Sequence, residues 1–223
     1  MKVLELFAGS RSIGNMAESL GCEVFSVDWG NFEGIDLSID IGDLKISDVP
    51  FVPDIVWASP DCTTYSIAAI STHRNKEDRS GKTEYAKKCD IVNQHWLKLI
   101  DQWLELNPNM VYYIENPRGG LRKMPFMQEL PIRHTVWYCQ YGDTRAKPTD
   151  IWTNNKAWVP RKECHNFRND IKHCHHESAP RGSRTGTQGL KGSYNRSKIP
   201  SELCREVLTA DINATNKDQQ SLF

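Results

Sequence analysis

No apolar run in the 223 residues is long enough to cross a membrane. The opening stretch, residues 1–7, is too short for a signal peptide and runs straight into Ala-Gly-Ser. The seven cysteines are an odd number, scattered singly rather than spaced as a secreted disulfide framework. Net charge is missing too, because 28 Lys and Arg face 28 Asp and Glu. These absences exclude a membrane span, a disulfide scaffold and a chain that is basic throughout. They predict a soluble protein in a reducing, cytosolic compartment. At this length one domain with a small appendage accounts for the whole chain.

What is present is an alternation of short apolar runs and amphipathic stretches. KVLELF (2–7), EVFSVDW (23–29), PDIVWASP (53–60) and MVYYIENP (110–117) read as strands, and HTVWYCQYG (134–142) and PTDIWTN (148–154) as later ones. In SIGNMAESLGC, Ile13, Met16, Ala17 and Leu20 fall at helical spacing, with Gly21 as a cap. In QHWLKLIDQWLELNP (94–108), Trp96, Leu99, Ile100 and Trp103 form one face, and Asn107-Pro108 ends the helix. The polar segment 71–89 reads as a mobile loop or insertion. Strands alternating with helices predict an α/β, Rossmann-like fold with a mostly parallel sheet. Ligands of such sheets bind beyond the carboxyl ends of the strands. Asp28, Cys62, Glu115 and Asn116 all fall at predicted strand ends, so they are expected to converge.

ELFAGSRSIGN (5–15) is a strand, a turn and a helix start, with glycines at 9 and 14. Such a turn brings backbone amides of a helix N-terminus near a ligand's polar end. Asp28, closing the next strand, sits where an acid meets ribose hydroxyls, and Trp29 is placed to cover an adenine. The turn and the acid together predict a nucleoside cofactor.

The motifs, in their order, resemble those of the DNA cytosine-5 methyltransferases. FAGSRSIG is similar to that family's F-x-G-x-G-G, with Arg11 and Ser12 in place of the later glycines. DCTTYS is similar to P-C-Q-x-F-S, keeping Cys62, Tyr65 and Ser66 but departing at Asp61 and Thr63. ENP at Glu115, Asn116 and Pro117 is similar to E-N-V, and DTRAK is similar to Q-x-R-x-R, with Arg145 kept and Lys147 last. SKIPSELCREVL is similar to a closing N-x-V-P and helix. The resemblance implies a small bacterial or phage enzyme using S-adenosylmethionine on double-stranded DNA, in the cytoplasm of its cell or host. Methylation of RNA or of a pyrimidine nucleotide, and an inactive DNA-binding protein on the same fold, are the alternatives. It makes Cys62 the nucleophile at carbon 6 of a flipped cytosine. Glu115 would hold or protonate N3, Arg145 would stabilise charge on O2, Asn116 would order the loop, and Lys147 would belong to the catalytic set as the last residue of its motif. Cofactor contacts are expected from Phe7, Ala8, Gly9, Ser10, Ser12, Ile13, Asp28, Trp29, Asp40, Ile41 and Pro60, with Asp43 a rival to Asp40. Asp61 sits awkwardly, since a carboxylate beside a thiol disfavours the thiolate.

Between 161 and 200, nine Lys and Arg face three Asp and Glu, a local basic stretch suited to a polyanion. Cys164-His165 and Cys174-His175 within it offer two thiolates and two imidazoles for zinc, and a metal-free histidine-rich loop is the other reading. The tail ends in QQSLF, which resembles a peptide that binds the bacterial sliding clamp through Gln219, Leu222 and Phe223. The expected organisation is a catalytic domain over 1–154, a recognition segment over 155–195, a returning helix over 196–208 and a disordered tail over 209–223.

Overall fold

A computed structural model of the chain describes residues 1–164, 190 and 192–220. In chain order the elements are β1 (Lys2–Leu6), α1 (Ser12–Ser19), β2 (Glu23–Asp28), β3 (Leu37–Ser38) and β4 (Ile55–Ala58). There follow α2 (Ile70–His73), α3 (Glu84–Leu106), β5 (Val111–Pro117), α4 (Pro125–Gln128), β6 (Ile132–Trp137), β7 (Pro148–Thr153), α5 (Ser193–Ser197) and α6 (Ser201–Gln220). The strands form one sheet in the order β3-β2-β1-β4-β5-β7-β6. Strands β1 to β5 pair in parallel, and β7 lies antiparallel between β5 and β6. This is the expected α/β, mostly parallel sheet.

Strand alternation decides which helix covers which face. Leu4, Leu6, Val56, Ala58 and Ile114 pack beneath Trp96, Leu99, Ile100 and Trp103 of α3. Val3, Ile55, Trp57, Tyr113 and Ile151 pack on the other face beneath Ile13 and Ala17 of α1 and Leu203, Cys204, Val207 and Leu208 of α6. The central strand β4, Ile-Val-Trp-Ala, is buried on both faces and has no polar side to show. The sheet order reverses at β1, which lies between β2 and β4. That switch point opens a crevice above the carboxyl ends of β1 and β4.

Three expectations are corrected. The segment 71–89 is built into the fold: α2 occupies its start, Arg74 and Gly81 form an antiparallel bridge, and α3 begins at Glu84. Arg74, 1% exposed, orders it. Its guanidinium donates to Thr64 O, Thr64 Oγ1 and both Asp90 carboxylate oxygens at 2.9–3.0 Å. The long helix starts ten residues before the predicted Gln94, with Thr83 as its cap accepting from the Ala86 N–H. The last helix runs on to Gln220, through most of the tail expected to be disordered.

Candidate active site

Directly after β1 the chain folds back through three left-handed residues, Phe7 (φ 56°), Gly9 (φ 47°) and Arg11 (φ 50°). A left-handed phenylalanine is unfavourable, and such outliers collect at functional sites. The turn directs the Gly9 N–H onto Asp28 Oδ2 at 2.9 Å, while Asp28 Oδ1 accepts from the Gly30 N–H at 2.8 Å. Asp28 is buried at the end of β2, and Trp29 beside it is 77% exposed. Ser10 and Ser12 join through their hydroxyls at 2.9 Å, and Ser12 Oγ accepts from the Ile199 N–H at 3.1 Å. The turn is thereby tied to the entry of α6, which the sequence predicted would return to this domain. Ala8, Ile41 and Pro60 are buried. Asp40 accepts from the Gly42 N–H at 2.9 Å and pairs with Lys88 at 2.6 Å.

The start of α1 departs from expectation. The Ile13 and Gly14 N–H groups do not face a ligand; they donate to Glu5 at 3.1 and 3.0 Å. Glu5 is a buried acid inside an otherwise apolar strand, a signal visible in KVLELF that motif reading passed over. Gly14 is required there, because a Cβ would come within 2.7 Å of Glu5 Oε2. Burial raises the Glu5 carboxyl from 4.5 to about 7, against the lowering effect of the two amides. The folded chain therefore keeps a proton that the unfolded chain releases between these values. The resulting stability is fully present below pH 4.5 and is lost as pH rises through about 7. The melting temperature should accordingly fall between pH 5 and pH 8, and Glu5→Gln should flatten that fall; an equal slope in the variant would contradict the assignment.

Cys62 lies half-buried just beyond β4, capping a 3-10 turn over Thr63–Tyr65. That turn is anchored to α3. The Tyr65 hydroxyl donates to Asp90 at 2.6 Å and accepts from Asn93 at 2.8 Å, and the Arg74 guanidinium stacks 4.0 Å from its ring. Asn116, on β5, donates to Pro60 O at 2.8 Å and so fixes the residue two before the thiol. Its Oδ1 is buried with no hydrogen-bond partner. Glu115 is buried at the same strand end, where Oε1 accepts from the Tyr138 hydroxyl at 2.9 Å and lies 3.7 Å from Lys147 Nζ. Burial pushes the Cys62 thiol up to about 11, helped by Glu115 and then by Asp61, while Lys147 opposes them. The resting thiol is thus protonated at neutral pH.

The two cations after Gly142 divide their roles. Arg145 was expected at the base oxygen, yet its guanidinium donates to Asp143 and to the carbonyl oxygens of Arg196 and Lys198. Lys147 shares the Arg196 carbonyl, to which its ammonium donates at 3.2 Å, but it also bears on Glu115 and Cys62 and lies 4.5 Å from the Tyr138 ring. Lys147 holds a φ of 24°, which with Phe7 and Arg11 makes a third strained non-glycine residue at this site. Tyr138 had no sequence signal that marked it out.

Of the residues considered for zinc, Cys164 is buried, whereas His165, Cys174 and His175 lie outside the described residues. Among the described residues no group of three or more His, Cys, Asp and Glu is placed to hold a metal. Gln219 falls within α6, and Leu222 and Phe223 lie outside the described residues. No described helix is long and apolar enough to cross a membrane.

No model of a known family matches the chain. A curated protein of Frog virus 3 (isolate Goorha), named "Probable DNA (cytosine-5)-methyltransferase", is 30% identical over 173 residues, covering 72% of this chain and 74% of that protein. Among solved structures, one described as a "putative DNA modification methyltransferase" of an E. coli prophage superposes with a TM-score of 0.51 at 12% identity over 74% of the chain. The Dnmt2 methyltransferase of S. pombe superposes with a TM-score of 0.50 at 14% identity over 80% of the chain. This chain spans only 52% and 57% of those two chains, and at such identity they share its fold alone.

Proposed function

The chain belongs to the DNA (cytosine-5)-methyltransferase family, and we propose that it methylates carbon 5 of cytosine in DNA with Cys62 as the nucleophile. The observation that carries this reading is the convergence, at adjacent strand ends, of the Cys62 thiol, the Glu115 carboxylate and the Lys147 ammonium.

The residues at the switch point fit S-adenosylmethionine. Asp28 offers a buried carboxylate with lone pairs beyond those given to Gly9 and Gly30, suited to ribose hydroxyls. Phe7 and the exposed Trp29 offer apolar surface for an adenine above the buried Ile41, and Asp40 an acceptor for its amine. The open left-handed turn at Gly9 lets the chain come close to the rest of the molecule. When bound, this cofactor supplies an electrophilic methyl group.

Cytosine carbon 5 is too weak a nucleophile to take that group unaided. The Cys62 proton passes to the Glu115 carboxylate, and the thiolate adds to carbon 6, forming a C–S bond and shifting an electron pair toward carbon 5 and the N3 edge. Glu115, with Oε1 held by Tyr138, presents Oε2 to N3 and passes on the proton it took from Cys62, neutralising the charge arriving there. Lys147 adds a positive field that favours both the thiolate and the developing charge on the base's exocyclic O2. After carbon 5 gains the methyl group it loses its proton to solvent, the electron pair returns to sulfur as the C–S bond breaks, and the N3 proton returns to Glu115. The base must first leave the stack, since carbon 6 is attacked from the ring face. The basic stretch 161–200 suits the phosphates of such a polymer.

Tritiated S-adenosylmethionine offered with duplex DNA, RNA or dCMP tests the reading. Label is expected in DNA and is expected to vanish with Cys62→Ala. Label confined to RNA or dCMP would move the substrate, and retained label in Cys62→Ala would remove the nucleophile.

A further inference from the structure

Asp61 places a carboxylate next to the nucleophile, and its partners explain how the site tolerates it. Oδ1 accepts from the Thr63 N–H at 2.8 Å and the Thr63 hydroxyl at 2.6 Å. Oδ2 accepts from the Tyr85 phenol, which stands on the first turn of α3 with the His73 ring edge-on at 6.2 Å. These three bonds turn the carboxylate toward Thr63 and α3, and none joins it to the Cys62 thiol.

We infer that Tyr85 is a positioning residue for Cys62: by holding Asp61 against Thr63 and α3, it keeps the carboxylate away from the sulfur and weakens its field there. The inference rests on Cys62 being the reactive thiol of this site. Three charged groups face that thiol, namely Asp61 beside it, Glu115 from β5 and Lys147 from the segment before β7. Tyr85 and Cys89, both on α3, face Asp61 in turn. A phenol that donates to Oδ2 draws negative charge away from the sulfur. Without it Thr63 still holds Oδ1, but Oδ2 loses the phenol that neutralises part of its charge, and that charge bears more fully on Cys62. The apolar face of α3 does not require a tyrosine here, since residue 85 is half exposed and outside the core.

The test is the rate at which iodoacetamide labels Cys62 in the full chain between pH 7 and pH 9. Mass spectrometry of the Cys62 peptide separates it from the other cysteines. Asp61→Asn should label about threefold faster for each unit its thiol falls, because a less basic thiolate is also a weaker nucleophile. Tyr85→Phe should label roughly two- to threefold slower, the worth of one hydrogen bond read through the same relation. In the Asp61→Asn background, Tyr85→Phe should change nothing. An unchanged rate in Tyr85→Phe would overturn the inference, and so would an equal slowing with and without Asp61. Trapping on duplex DNA containing 5-fluorocytosine should rank the variants in the same order. If labelling follows that order and no trapping occurs, the cytosine reading fails while the role of Tyr85 stands.

Discussion

Glu115→Gln should slow methyl transfer by about 10²–10⁴-fold, the usual worth of a positioned acid–base group, while making Cys62 more reactive to iodoacetamide. The two effects oppose each other because Glu115 acts twice. Its carboxyl serves N3 of the base, and its negative charge raises the neighbouring thiol. Glutamine keeps the acceptor that Tyr138 requires and can still donate a hydrogen bond to N3, but it delivers no proton. Affinity for DNA and cofactor should therefore change little, and the loss should appear in kcat. Parallel loss of methylation and of Cys62 labelling would mean that the site had collapsed. Methylation within threefold of the wild type would remove Glu115 from the chemistry.

Arg74→Ala should destabilise the fold by about 3–5 kcal/mol, the cost of removing one partner from a buried ion pair. All the groups that Arg74 serves are affected together. The Asp90 carboxylate loses its cation, and Thr64 loses donors to its carbonyl and its hydroxyl. The Tyr65 ring loses the stacked guanidinium. Since Thr64 and Tyr65 belong to the turn that presents Cys62, activity should fall with stability. Arg74→Lys should recover little, because a point charge cannot reproduce the fork that reaches Thr64 and Asp90 at once. Chemical denaturation measures the first effect; a loss under 1 kcal/mol would show that the loop is held by something else.

Those two residues also mark what could be read from the sequence. Glu115 was legible because a polar pair after VYYI closes a buried strand, and strand ends of a parallel sheet converge. The same reasoning found Asp28 and Cys62. Arg74 was not legible. The first half of α3 buries Ala86 and Asn93 and uses Asp90 to hold the Cys62 turn, so it lacks an apolar stripe. Periodicity reads such a stretch as loop, although polar bonds order it. Arg145 and Lys147, two residues apart, lie on one side of an extended chain, so alternation could not assign one of them to the thiol. The positive φ at Lys147 and the Lys198 carbonyl that only Arg145 reaches separate them, and both appear only in the folded chain. Asp61 was recognised as a difficulty from its neighbour alone, but its solution depended on Tyr85, 24 residues away.

The central claim is a bond between Cys62 and carbon 6 of cytosine. Duplex DNA carrying 5-fluorocytosine cannot lose a proton at carbon 5, so the adduct accumulates once methyl transfer has occurred. Mass spectrometry of the trapped complex should find the nucleotide on the Cys62 peptide, and only when S-adenosylmethionine is present. DNA binding with no adduct, or an adduct on another cysteine, would contradict the account.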